Sequence, residues 1–239
     1  IRVPEFDEEK YLVMVTKQGI IKRISLNAYN TARKGGLIAL ELNEGDELAW
    51  VRLTDGNQQV IVATKNGLAI RFEETDVRPM GRQARGVKAI SLREGDCVVG
   101  MCVVANDDLI LTASETGFGR ISNVSDYRLQ SRGGKGITNY HTEKYGNVAA
   151  VSAVKLDEDI IIISQEGVII RIAADTVRIC NRPSKGVTLM RIGENDKVVT
   201  VARAPHEDSE SEKTEETAEK ETSEENTAPE TNAEENTEE

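Results

Sequence analysis

Leu109-Ile110-Leu111-Thr112-Ala113-Ser114-Glu115-Thr116-Gly117-Phe118-Gly119-Arg120-Ile121 sets the architecture of the chain. An apolar, β-branched run reaches a turn whose glycine tolerates positive φ, and a second short run follows. The pattern predicts strand, turn, strand. It is written three more times: Tyr11–Thr16 and Ile20–Ile24 around Lys17-Gln18-Gly19, Val60–Thr64 and Leu68–Phe72 around Lys65-Asn66-Gly67, and Ile160–Ser164 and Val168–Ile172 around Gln165-Glu166-Gly167. The turn glycines lie 48, 50 and 50 residues apart.

Two further markers keep step. Gly36, Gly86, Gly136 and Gly186, each closing a basic loop, are spaced by 50, 50 and 50 residues. Glu44-Gly45-Asp46, Glu94-Gly95-Asp96, Tyr145-Gly146-Asn147 and Glu194-Asn195-Asp196 recur at nearly the same interval. A third strand is expected after each loop (Leu37–Leu42, Val87–Leu92, Ile137–Tyr140, Val187–Ile192). A fourth is expected after each acidic turn (Glu47–Leu53, Val98–Val104, Val148–Lys155, Lys197–Ala202). Four strands per fifty residues, repeated, predict an all-β, propeller-like array of about four four-stranded blades. The units run about 10–57, 58–107, 108–158 and 159–203. Kelch and WD40 propellers share such periods, but their glycine-doublet and Trp-Asp signatures are missing.

Composition divides the chain at residue 203. Residues 204–239 hold fifteen Asp/Glu and two Lys with no large apolar residue, so a disordered acidic tail is expected. Residues 1–203 carry 28 Lys/Arg against 26 Asp/Glu, so the acidic total of −11 misdescribes a nearly neutral body. Aromatics are 4% of the chain, so its core must be Val, Ile, Leu and Ala. There is no apolar run long enough for a membrane helix and no secretory signal. Cys97, Cys102 and Cys180 read as reduced thiols of a cytoplasmic protein, and His141 and His206 stand alone, so no metal site is expected. A chain opening on Ile1 rather than Met is expected to be truncated or processed.

The cations fall in phase with the repeat. Arg82, Arg132 and Arg182 stand four residues before the loop-closing glycine, and Arg85, Lys135 and Lys185 immediately before it. The first unit has Arg33-Lys34 instead, and the second strands add Lys22, Arg23, Arg71, Arg120 and Arg171. Superposable units would line these residues along one rim. Duplex DNA carries a negative charge about every 1.7 Å, and Lys/Arg contacts release its condensed counterions. Glycines let backbone N–H groups approach phosphates, and the loops lack the aromatic residues that single strands stack on. Sequence-neutral binding of bent duplex is the simplest use. A propeller-like scaffold holding an acidic protein partner is the alternative. A small-molecule enzyme has no Ser/His/Asp set, phosphate loop or metal cluster to support it. The tail could compete with DNA for the rim or serve solubility alone.

Gln130-Ser131-Arg132-Gly133-Gly134-Lys135-Gly136 resembles the Gln-Arg-Arg-Gly-Gly-Lys-Gly box of the gyrase/topoisomerase IV A-subunit family at six of seven positions. Residues 13–23, 44–48 and 70–81 look like repeat segments of the same family's C-terminal domain. The resemblance spans about residues 4–203, and the tail is similar to the gyrase subunit's acidic end. It implies a six-bladed β-pinwheel that wraps duplex DNA, and therefore two blades upstream of the four seen here. It also implies partnership with the rest of the A subunit and with B subunits, as a tetramer of two of each that uses ATP and Mg2+ outside this segment. The family's box belongs to the first blade, whereas the match here lies in the third visible unit with Ser131 replacing an arginine. The family's catalytic tyrosine follows an arginine. None of Tyr11, Tyr29, Tyr127, Tyr140 or Tyr145 does, so no catalytic residue and no cofactor is assigned. The string leaves gyrase and topoisomerase IV both open.

Overall fold

The computed structural model describes residue 3, residues 6–7, 9–31 and 37–206. The expected acidic tail from residue 207 onward, and Arg33, Lys34 and Gly36 of the first loop, lie outside the described residues. The described body is all-β, built of four sheets in a propeller arrangement. In chain order the strands are β1 (Tyr11–Thr16), β2 (Ile20–Ser25), β3 (Leu48–Thr54), β4 (Gln59–Thr64), β5 (Leu68–Glu73), β6 (Val87–Lys88), β7 (Val98–Val104), β8 (Leu109–Ser114), β9 (Phe118–Asn123), β10 (Ile137–Thr138), β11 (Val148–Val154), β12 (Glu158–Ser164), β13 (Ile169–Ala173), β14 (Val187–Thr188) and β15 (Val198–Pro205). One helical turn, α1 (Thr142–Tyr145), precedes β11.

The hairpins form where the turn glycines predict. Gly19, Gly67, Gly117 and Gly167 all have φ near +80°, as tight antiparallel turns require. The acidic turns have an equally local cause. The Oδ1 of Asp46, Asp96 and Asp196 each accepts two backbone N–H groups, from Gln18 and Glu47, Asn66 and Cys97, and Glu166 and Lys197, at 2.8–3.1 Å. One carboxylate thereby ties the hairpin turn to the start of the fourth strand.

The sequence unit and the blade are not the same object. The sheets run β3-β1-β2-β6, β10-β5-β4-β7 and β11-β8-β9-β14, followed by a three-stranded β13-β12-β15. The strand after each basic loop therefore leaves its own unit and pairs with the second strand of the preceding one. Val87↔Ile21, Ile137↔Ala69 and Val187↔Gly119 are the matching registers. This corrects the expected third strands: each is two residues long rather than four to six, and Leu37–Leu42 forms none. A strand lasts only while it has a partner edge, and past the second residue the segment turns down between the sheets. Its apolar residues go there instead: Ala89 and Ile90 are fully buried.

The core consists of three apolar layers between successive sheets. Val13, Val15, Ile21, Val60, Val62, Ile70 and Phe72 join the first two, Ile61, Val104, Ile110, Tyr127 and Tyr140 the next two, and Leu111, Ile121, Val154, Ile160 and Ile162 the last two. Each fully buried large side chain contributes about 1.5–3 kcal/mol. Both ends of the array show the reverse. Ile169 on β13 is 63% exposed where its counterparts Ile21 and Ala69 are 0%, and Ile38 is 76% exposed.

Candidate nucleic-acid interface

Each of the three described basic loops is anchored at both ends on the preceding sheet. Pro79, Leu129 and Ile179 make parallel bridges to Arg23, Arg71 and Ile121, and the two-residue strands β6, β10 and β14 close the loops. Just beyond these bridges, the N–H groups of Met80, Gln130 and Cys180 bond the carbonyls of Arg23, Arg71 and Ile121 at 2.8–3.0 Å. The closing glycines sit against backbone: a Cβ on Gly136 or Gly186 would strike the carbonyl of Ala69 or Gly119. The excursion between the anchors is short, held and glycine-bearing. Successive loops also touch one another's flanks. Gly133 N–H donates to Ala89 O at 2.6 Å, and Gly134 O accepts from Ser91 N–H at 2.8 Å. The loops thus follow one another along a single edge.

The predicted cations divide into three groups. The second-strand set is not an interface. Lys22, Arg23, Arg71 and Arg120 are all buried. Lys22 Nζ donates to the carbonyls of Ala39 and Arg82 at 2.9 and 2.6 Å. Arg71 donates to the carbonyls of Val124 and Tyr127 at 2.9 and 3.0 Å and to the side chains of Gln59 and Asn106. Arg120 reaches Ser184 O at 3.1 Å, Ser122 and Asn139, and the Arg23 guanidinium lies over the Tyr11 ring. Burial pushes the pKa of Lys22 and of Arg71 down, since water no longer solvates their charge. Arg171 is exposed and pairs with Asp159 at 2.7 Å. The expectation that the second-strand cations line the rim fails for the four buried ones, for a physical reason, while Arg171 stays exposed. Lys22, Arg23, Arg71 and Arg120 sit in strands covered by neighbouring segments, where their donors satisfy otherwise orphan carbonyls.

The second group, Arg82, Arg132 and Arg182, is half-buried. Arg132 Nε and Nη1 donate to the carbonyls of Asp76 and Lys88 at 3.0 and 3.1 Å. Arg182 repeats the grip on Asp126, at 2.8 Å, and on Thr138, and its guanidinium lies over the Tyr127 ring. Arg132 and Arg182 thus hold their loops onto the preceding unit with two of their five N–H donors.

The third group faces solvent: Arg85, Lys135 and Lys185 are exposed at the loop tips. Arg85 pairs with Glu41 at 2.8 Å, a solvent-exposed contact worth little and readily exchanged for a phosphate. Lys185 Nζ sits 3.6 Å from the centroid of the Phe118 ring. A further row escaped the sequence reading. Arg78, Arg128 and Arg178 are exposed, spaced by fifty residues, and placed just before the anchoring bridges. The fifty-residue period was the signal that could have found them. In the box-like loop Gln130 and Arg132 are tied down, whereas Ser131, Gly134 and Lys135 are open to solvent.

The sequence profile of the DNA gyrase C-terminal domain, β-propeller, matches residues 10–55, 58–104, 108–155 and 158–205. The chain belongs to that family. The gyrase C-terminal repeat therefore accounts for all four units. Gyrase A subunits of Clostridium acetobutylicum and Halalkalibacterium halodurans are each 57% identical to it over 88 residues, 37% of this chain and 11% of theirs. The match thus spans about a tenth of those relatives. Among solved structures, the C-terminal domain of DNA topoisomerase IV has a TM-score of 0.81 at 26% identity, covering 92% of this chain and 69% of that one. The DNA gyrase A C-terminal domain has a TM-score of 0.74 at 28% identity, covering 84% and 68%. Among the described residues there is no group of three or more His, Cys, Asp or Glu that could hold a metal, and no helix is long and apolar enough to cross a membrane.

Proposed function

We infer that this gyrase-type C-terminal domain binds duplex DNA without sequence preference, through the phosphate backbone, and curves it along the edge that carries its basic loops. The observation that carries the reading is the double row of exposed cations at fixed phase, Arg78, Arg128 and Arg178 with Arg85, Lys135 and Lys185, on loops pinned in succession. Within the protein the row gains only the exposed Arg85–Glu41 pair and the Lys185 contact with the Phe118 ring. It has a counterpart in a stiff polyanion, whose released counterions drive binding. Glycine-rich tips keep side-chain bulk away from the backbone N–H groups that phosphates approach.

Within a whole A subunit this activity would present a DNA segment for strand passage and support ATP-dependent negative supercoiling, in a cytoplasmic tetramer with B subunits that supply the nucleotide site. The gyrase relatives favour that setting over topoisomerase IV. Titration of the chain with duplex of several turns tests the reading. Log K should fall against log salt with a slope of about −0.9 for each phosphate contact. Absent or salt-independent binding overturns it, and so does retention of an acidic protein partner against excess duplex, which would favour the scaffold.

A further inference from the structure

The fifty-residue period has one reversal of charge. Glu44, Glu94 and Glu194 occupy one phase, and Lys144 stands at that phase in the third unit. Two residues on, Asp46, Asp96 and Asp196 are replaced by Gly146. The lost aspartate was the hook that shaped the other turns, and the connector here folds instead as α1. Aromatic residues take over its fixing: Tyr140 and Tyr145 meet edge to face at 5.7 Å, the Tyr140 hydroxyl donates to Lys185 O at 3.0 Å, and Thr116 Oγ1 donates to Tyr145 O at 2.6 Å. This holds α1 beside the last basic loop.

Between α1 and that loop lies an open cleft of about 820 Å3 whose walls include His141, Lys144, Arg178, Cys180 and Arg182 and no carboxylate. Glu143, the acidic residue of α1, lines the groove on its other side, with Asn66 and Arg93. Lys144 and Arg178 are exposed. Arg182, anchored by two of its N–H groups on Asp126 and Thr138, adds fixed positive charge to the wall.

We propose that this cleft is an anchor for the phosphodiester backbone, in which Lys144 and Arg178 together hold adjacent phosphates of the duplex. The inference rests on the rim reading above and deepens it, because it makes one joint of a repeating edge unequal to the others. A recess with cations on both walls meets a phosphate from two sides, whereas a loop tip meets it from one. The duplex is therefore held most firmly where the third and fourth units meet.

The test uses the full chain and a duplex of several turns. Lys144→Ala should cost roughly eightfold in affinity near 0.1 M salt and flatten the salt slope by about 0.9, the loss of one contact. Lys144→Glu should cost more. Glu94→Lys, which writes the reversal into the second unit, should raise affinity. In a Cys97→Ser background, alkylation of Cys180 in the cleft wall should slow when duplex is bound. The proposal fails if both Lys144 variants bind within about twofold of the parent protein at matched salt, or if Cys180 reacts equally fast bound and free. Should that happen while Lys135→Ala still weakens binding, the rim reading survives without the anchor. If the parent protein does not bind duplex at all, both fall.

Discussion

Replacing Arg71 by Met would leave the carbonyls of Val124 and Tyr127, and the side chains of Gln59 and Asn106, short of their buried donor. Unpaired buried acceptors cost about 1–3 kcal/mol each, so urea unfolding should register a loss of about 3 kcal/mol or more. The folded fraction should bind DNA as before. Lys135→Ala should do the opposite: an unchanged unfolding midpoint and an affinity lower by roughly eightfold near 0.1 M salt. Equal effects of the two substitutions on binding would refute the division of the cations into buried braces and exposed contacts. Cys102 offers a separate check at this scale. Burial pushes its thiol up to about 11. The folded chain therefore binds that proton more tightly than the unfolded chain, whose thiol titrates near about 8.5. The stabilising contribution is complete below the lower value and is lost as pH rises toward the upper one. Cys102→Ala should flatten the fall in stability over that interval, as read from urea midpoints against pH.

At the level of strands and turns, Gly136→Ala should destabilise by more than about 2 kcal/mol, because a methyl group at positive φ would meet the Ala69 carbonyl in the joint between sheets. Gly95→Ala, also at positive φ but with nothing within 4 Å of the added carbon, should cost only about 1 kcal/mol. Thermal unfolding distinguishes the two. Spacing alone made the repeat, the first two strands of every unit and the fourth strand visible, since alternation and glycine turns are local properties. The exchange of the third strand was not visible, because Val87-Lys88 reads the same whichever edge receives it. The destiny of Arg71 and Arg120 was hidden for the same reason: an arginine within an apolar strand is a surface charge or a buried brace depending on what packs over it. Asp46, Asp96 and Asp196 showed the period but not their task of capping two N–H groups each.

For the molecule as a whole, curvature is the property to measure. Closed circular DNA relaxed in the presence of the chain should carry a shifted linking number after the protein is removed, in proportion to the protein bound. A straight complex would leave it unchanged. Charge reversal at Arg78, Arg128 and Arg178 together should abolish the shift before it abolishes folding, because none of the three side chains is buried. Failure of that triple variant to alter the shift would move the DNA path to another edge.

The borrowed strand also bears on how the chain is made. A ribosome delivers the units from the amino end, and each of the first three sheets receives its outermost strand from the unit still to be synthesised. None of these three sheets can therefore finish when its own unit has emerged; it must wait until Lys88, Thr138 or Thr188 of the next unit has followed. Every intermediate length displays one unfinished hairpin, of the kind Ile169 displays on β13. Damage to a late unit should consequently loosen the unit before it, so that neighbours melt in pairs rather than singly.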